Sequence, residues 1–249
     1  MWKANKKIYV EIAVWTMLVL VLSFACYLPM LLERNRVGVP RELSAAKYLF
    51  VIVPIAVSVF FAAGRGEFKK WLADLFSEKI RLKSILFCAV AGAIGLIFSF
   101  AYSLISENHD LFTNNYPTLL SVFTGAAYLF LTAMLEECAW RGYLLRRLSE
   151  DIGTPFALIY TGIVWAVWHI PMWTIRNSLG FGETAAYLVW TVLISLVLGK
   201  FYLKHKNIIT TALLHMLFNT CFIMPVSYNI ILVGLSGTVM LLTIRKKSG

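Results

Sequence analysis

The feature that most restricts this chain is the recurrence of mostly apolar runs about twenty residues long. That is the length a helix needs to cross the hydrocarbon core of a bilayer. Eight such runs can be marked, at roughly 9–32, 45–64, 84–106, 118–145, 155–174, 184–203, 207–224 and 228–244. Composition supports the same reading. Of 249 residues, 59% are hydrophobic and 14% charged, against about 45–50% and about 25% in ordinary soluble domains. A soluble fold of this length could not hide that much apolar surface. A soluble enzyme, a disordered chain and a secreted disulfide scaffold are thereby excluded. The expectation is an all-α, polytopic membrane bundle of about eight transmembrane helices, a single domain over 1–249 with no fixed-period repeat.

The first run is too long for a removable signal peptide and lacks a small-residue cleavage site, so it reads as an anchor. Between the second and third runs, EFKKWLADLFSEKIRLK sets Phe68, Trp71, Leu72, Leu75 and Phe76 at helical spacing among charges. This is the pattern of an interfacial amphipathic helix. The net charge of +10 does not imply nucleic-acid binding, because the basic residues gather at the ends of apolar runs rather than along one face. Short loops rich in Lys and Arg stay in the cytoplasm. Placing the N-terminus inside leaves only Arg34, Arg36, Arg41, Lys47 and Arg176 of the 23 basic residues outside, and an even number of spans puts both termini in the cytoplasm. Cys26, Cys88, Cys138 and Cys221 form no CxxC or Cys/His pair and read as small buried hydrophobes.

Ionisable side chains within spanning helices are costly and mark function. They concentrate in three runs. The fourth contains Glu136 and Glu137, followed by Arg141. Glu137 and Arg141 are one helical turn apart and can pair, while Glu136 points about 100° away. Two neighbouring carboxylates in a low-dielectric site cannot easily both stay charged. Arg141 can neutralise one and leave the other as a general base. The bland alternative, a solvated ion pair at the end of a span, fits poorly with Glu136 lying some 15 Å inside Arg146 and Arg147. The fifth run contains His169, one turn after Trp165 and just before Pro171, which can open the helix locally. A single histidine of this kind is as readily a hydrogen-bonded core residue as a catalyst. In the seventh run, His215 and Asn219 project from one helical face and can both hydrogen-bond one oxygen, as oxyanion stabilisation requires. Interhelical polar glue is the simpler role for such a pair. A water between a carboxylate and a histidine, facing an oxyanion donor pair, makes a hydrolytic site.

At these residues the sequence resembles the CAAX protease and bacteriocin-processing (CPBP, or Abi) family of intramembrane proteases, which includes the type II CAAX prenyl endopeptidases. The resemblance covers about 118–224 and rests on three elements in order: Glu136-Glu137-Cys-Ala-Trp-Arg141, Trp165-Ala-Val-Trp-His169 and His215-Met-Leu-Phe-Asn219. The second element commonly begins with Phe, where this chain has Trp165.

The resemblance implies a glutamate-type endopeptidase. In that scheme Glu136 activates water with help from His169, His215 and Asn219 form the oxyanion hole, and Glu137 and Arg141 orient and support the site. Members have also been treated as metalloproteases, which would make Glu136, His169 and His215 ligands of a catalytic Zn²⁺. No HExxH is present, and His215 with Asn219 makes better sense as an oxyanion clamp, so no cofactor is expected. The expected partners are the bilayer and a membrane-associated or lipidated peptide or protein, with no nucleic acid. The compact chain looks like a bacterial cell-membrane member handling peptides other than prenylated ones. A non-catalytic bacteriocin-immunity or scaffold protein of the same family is the main competing function. A transporter lacks the expected inverted repeats.

Overall fold

The computed structural model describes residues 6–40, 42–105 and 119–220. Among these every regular element is helical. In order come α1 (Lys6–Arg34), a 3-10 helix (Leu43–Leu49), α2 (Ile52–Gly64), α3 (Phe68–Leu75), α4 (Leu82–Ile105) and α5 (Leu119–Ala139). A π-helical turn (Trp140–Leu145) leads from α5 into α6 (Arg146–Asp151), followed by α7 (Thr154–Trp168). A second π-helical turn (Met172–Arg176), α8 (Phe181–His205) and α9 (Ile208–Thr220) complete the described chain.

The pattern of α1 shows what kind of solvent surrounds the bundle. Ile8, Ile12, Trp15, Val19, Ser23 and Tyr27 fall at helical spacing and are buried. The opposite face exposes Val10, Val14, Met17 and Val21. A helix that is apolar on both its packed and its open face belongs in lipid. Among the described residues three helical stretches, Lys7–Arg34, Thr154–Arg176 and Phe181–His205, are long and apolar enough to cross a membrane, or four if a bent pair counts as one span. The chain is read as an integral membrane protein.

The expected count of eight spans is therefore not reached among the described residues. The second expected run is the bent pair: the 3-10 helix and α2 meet at 63°. Pro54 lies in the first turn of α2. Having no N–H and crowding the residue before it, it lets a helix start there rather than pass through. Leu82–Ile97 and Ile208–Asn219 are shorter apolar stretches, and the run at 228–244 lies outside the described residues. The expected amphipathic helix contracts to the eight residues of α3, which buries Trp71 and Leu75 but leaves Leu72, and Phe76 just after it, exposed.

Helix α5 is the axis of the arrangement, with α2 and α9 against it, α4 and α8 beyond α9, and α7 packed on α8. Polar and aromatic contacts fasten α1 to this group. Trp15 Nε1–H donates to Ser58 Oγ on α2 at 3.2 Å, and Trp168 Nε1–H on α7 donates to Ser23 Oγ at 2.8 Å. Trp140 stands edge-on to both Trp15 and Trp168, at 5.4 and 5.6 Å between centroids. Aromatic pairs of this kind add about 0.5–1.5 kcal/mol each beyond burial.

Helix ends are set locally. The turn from α6 to α7 passes through Gly153 at φ 114°, open only to glycine, and Pro155 follows in the first turn of α7. The N-terminus of α9 is capped by Asn207, whose Oδ1 accepts the Thr210 N–H at 3.0 Å.

Candidate active site

The last turn of α5 delivers Glu136 and Glu137 into the bundle, and the π-helical turn brings Arg141 back over them. Arg141 Nη1–H donates to Glu137 Oε1 at 2.8 Å, and neither side chain has any exposed surface. The second arm of the guanidinium crosses to α8: Nη2 donates to Ser195 Oγ at 3.0 Å and reaches the Ser195 carbonyl at 3.4 Å. The plane of Arg141 also sits 4.6 Å from the centre of the Trp165 ring on α7, a cation–π placement.

The same carboxylate oxygen ties in α9. His215 Nδ1 is 2.8 Å from Glu137 Oε1. Because that oxygen already accepts from Arg141, the imidazole is the donor. Its Nε2 is then an acceptor in the neutral ring, and donation from Nε2 requires a second proton on the imidazole. Oε2 of Glu137 is buried with no hydrogen-bond partner among the described residues.

Glu136 faces another way, as the 100° offset requires. Its Oε2 accepts the Trp165 Nε1–H at 3.0 Å. His169 closes α7, where Pro171 prevents the regular helix from continuing. Its Nδ1–H donates to the Trp165 carbonyl at 2.8 Å, which leaves Nε2 as the free acceptor. The ring stacks on Trp173 at 5.2 Å and meets Trp165 and Trp168 edge-on at 5.0 and 4.7 Å.

Five of the six residues singled out from the sequence thus enter two linked networks. Glu137, Arg141 and His215 form one, Glu136 and His169 the other, and Trp165 touches both. Asn219 is half-buried on α9 one turn beyond His215, and no side-chain hydrogen bond joins the two. Ser195 is the residue that sequence reasoning did not single out. A lone serine in an apolar helix normally bonds back to its own preceding turn, so nothing in its spacing marks it as a partner of a buried arginine.

Helix α3 supports the π-helical turn from the other side. Trp71 Nε1–H donates to the Gly142 carbonyl at 3.1 Å. A Cβ on Gly142 would overlap the end of the Leu75 side chain, which would have to shift to make room. A cavity of about 110 Å³ opens beside the turn among Arg65, Trp71, Tyr143 and Arg147, and none of the six candidate residues lines it.

Among the described residues no three His, Cys, Asp or Glu side chains gather as ligands for a metal ion. Glu136 and His169 belong to one network and His215 to the other, with Trp165 between them.

Residues 118–221 match the family model described as type II CAAX prenyl endopeptidase Rce1-like. CAAX prenyl protease 2 of Methanococcus maripaludis is 31% identical to this chain over 100 residues, a stretch covering 36% of each protein. The similarity therefore reaches about a third of the relative's length. The family match at 118–221 contains all six candidate residues and begins after α4.

Proposed function

We propose, from the premise that residues 118–221 are Rce1-like, that this protein is an intramembrane endopeptidase of the glutamate type. It hydrolyses a peptide bond in a membrane-associated or lipidated peptide or protein. Glu136 takes a proton from water, whose oxygen attacks the scissile carbonyl carbon, with His169 Nε2 accepting a hydrogen bond from the same water. The oxyanion that forms is met by doubly protonated His215 and by Asn219. The proton held on Glu136 passes to the leaving amine as the C–N bond breaks. Glu137 and Arg141 keep His215 oriented and balance charge. The observation that carries this reading is the buried junction of α5, α7 and α9, where a carboxylate and an imidazole bind the same tryptophan. A scaffold or immunity protein has no need of a buried, paired ionic network with free imidazole nitrogens.

The direct test is cleavage of a farnesylated CAAX peptide by protein reconstituted in phosphatidylethanolamine and phosphatidylglycerol vesicles, wild type against Glu136 variants. The name of the archaeal relative supplies the probe; a non-prenylated membrane peptide run beside it distinguishes prenyl recognition from broader peptidase activity.

The metal-free chemistry has its own test. Chelators are expected to leave cleavage essentially unchanged. Asn219→Ala is expected to lower kcat by about 10²–10³, the usual loss for one oxyanion donor. Activity that vanishes with chelator and returns with Zn²⁺ would reassign His169 and His215 as ligands. Two imidazoles with Nδ1 committed and Nε2 free are also the form in which histidine binds metals.

The orientation follows from the basic residues, with both termini cytoplasmic. Reporter fusions at the two ends should report the same side, and opposite sides would refute an even number of spans.

A further inference from the structure

We propose that Trp165 is a positioning residue, whose indole N–H fixes Glu136 and whose backbone carbonyl fixes His169 for work on one water. The proposal rests on the reading of Glu136 and His169 as the hydrolytic pair.

The two groups come from different helices, and each is hydrogen-bonded to Trp165 rather than to the other. What they share is Trp165. Its Nε1–H donates to Glu136 Oε2 at 3.0 Å, and its carbonyl accepts the His169 Nδ1–H at 2.8 Å. One residue therefore commits one oxygen of the carboxylate and one nitrogen of the imidazole. Oε1 of Glu136 and Nε2 of His169 remain for water. The His169 bond does a second job, because it selects the tautomer in which Nε2 carries no proton and can accept.

Trp165 itself is held firmly. It is 2% exposed, its face is under the Arg141 guanidinium at 4.6 Å, and the His215 ring stands edge-on to it at 5.2 Å. The indole is thus clamped by the Glu137 network while it orients the Glu136 network. A phenylalanine here could fill much of the volume, carry the cation–π contact and offer the same backbone carbonyl. It could not hold Glu136. The nitrogen of Trp165, rather than its aromatic bulk, is what the site uses.

Trp165→Phe isolates that one atom group. In the vesicle assay with the farnesylated CAAX peptide, the variant is expected to lose about tenfold or more in kcat with KM nearly unchanged. A hydrogen bond to a charged group is worth that much, and a carboxylate free to rotate still leaves the substrate contacts intact. Trp165→Leu, which also removes the ring face over which Arg141 sits, should lose thermal stability as well, whereas Trp165→Phe should melt close to wild type. A spectroscopic measurement reads the contact without catalysis. With ¹⁵N-indole-labelled protein in micelles, the Trp165 Nε1–H resonance is identified by its loss in Trp165→Phe. It should move upfield in Glu136→Ala and stay in place in Asn219→Ala.

An unmoved resonance in Glu136→Ala overturns the proposal, as does a Trp165→Phe variant with wild-type kcat beside an inactive Glu136→Gln. A Glu136→Gln variant that cleaves normally instead overturns the hydrolytic reading, whatever the indole reports.

Discussion

Glu136→Gln is expected to lower kcat for peptide cleavage by a factor of about 10²–10⁴, the contribution of a general base, while leaving the fold as it is. The glutamine amide has nearly the shape of the carboxylate, and its oxygen can still accept from Trp165 Nε1–H, the bond now made at 3.0 Å. What it cannot do is take a proton from water. The contrast with Glu137→Gln makes the test sharper. Glu137 carries both the Arg141 and His215 bonds on one oxygen, so neutralising it leaves a fully buried guanidinium without its ion partner and costs stability first. Steady-state kinetics in vesicles together with thermal melting of both variants separate the roles. Wild-type turnover by Glu136→Gln would end the assignment of Glu136 as the base.

The second large effect is structural. Arg141→Met keeps length and apolar stem but removes the charge, and it should destabilise the bundle by about 3–5 kcal/mol, the loss seen when a buried pair is broken from one side. Set against typical total stabilities of about 5–15 kcal/mol, that is a large fraction. The size comes less from the lost attraction than from Glu137, which would remain buried with only His215 beside it. The hydrogen bond to Ser195 and the stacking over Trp165 disappear as well. Glu137→Leu combined with Arg141→Met is expected to recover most of the loss, because no unpaired charge is left behind. Melting temperatures in detergent provide the check. A single Arg141→Met variant as stable as wild type would show that the pair contributes nothing to folding.

Contacts within one helix could be read from spacing, and contacts between helices could not. Glu137 and Arg141 pair as their four-residue separation predicts, and Glu136 points elsewhere for the same reason. His215 and Asn219 share a face, yet His215 spends its Nδ1–H on Glu137, a helix away, which no periodicity could reveal. Trp165 was legible as the aromatic residue one turn before His169, but the use of its N–H depends on where α5 and α7 cross. Span lengths behaved similarly. Clean apolar runs such as α1 and α8 emerged whole, while the run at 45–64 bends because one proline changes which backbone groups can bond. In a bilayer, apolarity marks what touches lipid, but it does not say where a helix breaks.

The π-helical turn at Trp140–Leu145 acts as a phase shifter. Such a turn inserts one residue into an α-helix, and one residue is worth about 100° of rotation. Residues on either side of it are thus aimed independently: Glu136 and Glu137 into the bundle, Arg146 toward Asp74 and Arg147 toward Glu11. The candidate motif and its basic anchor are aimed as they are only in the presence of that extra residue. Transplanting residues 136–147 onto a straight helix would keep the Glu137–Arg141 pair and swing Arg146 and Arg147 about 100° away from Asp74 and Glu11, so the surplus residue has to travel with the graft.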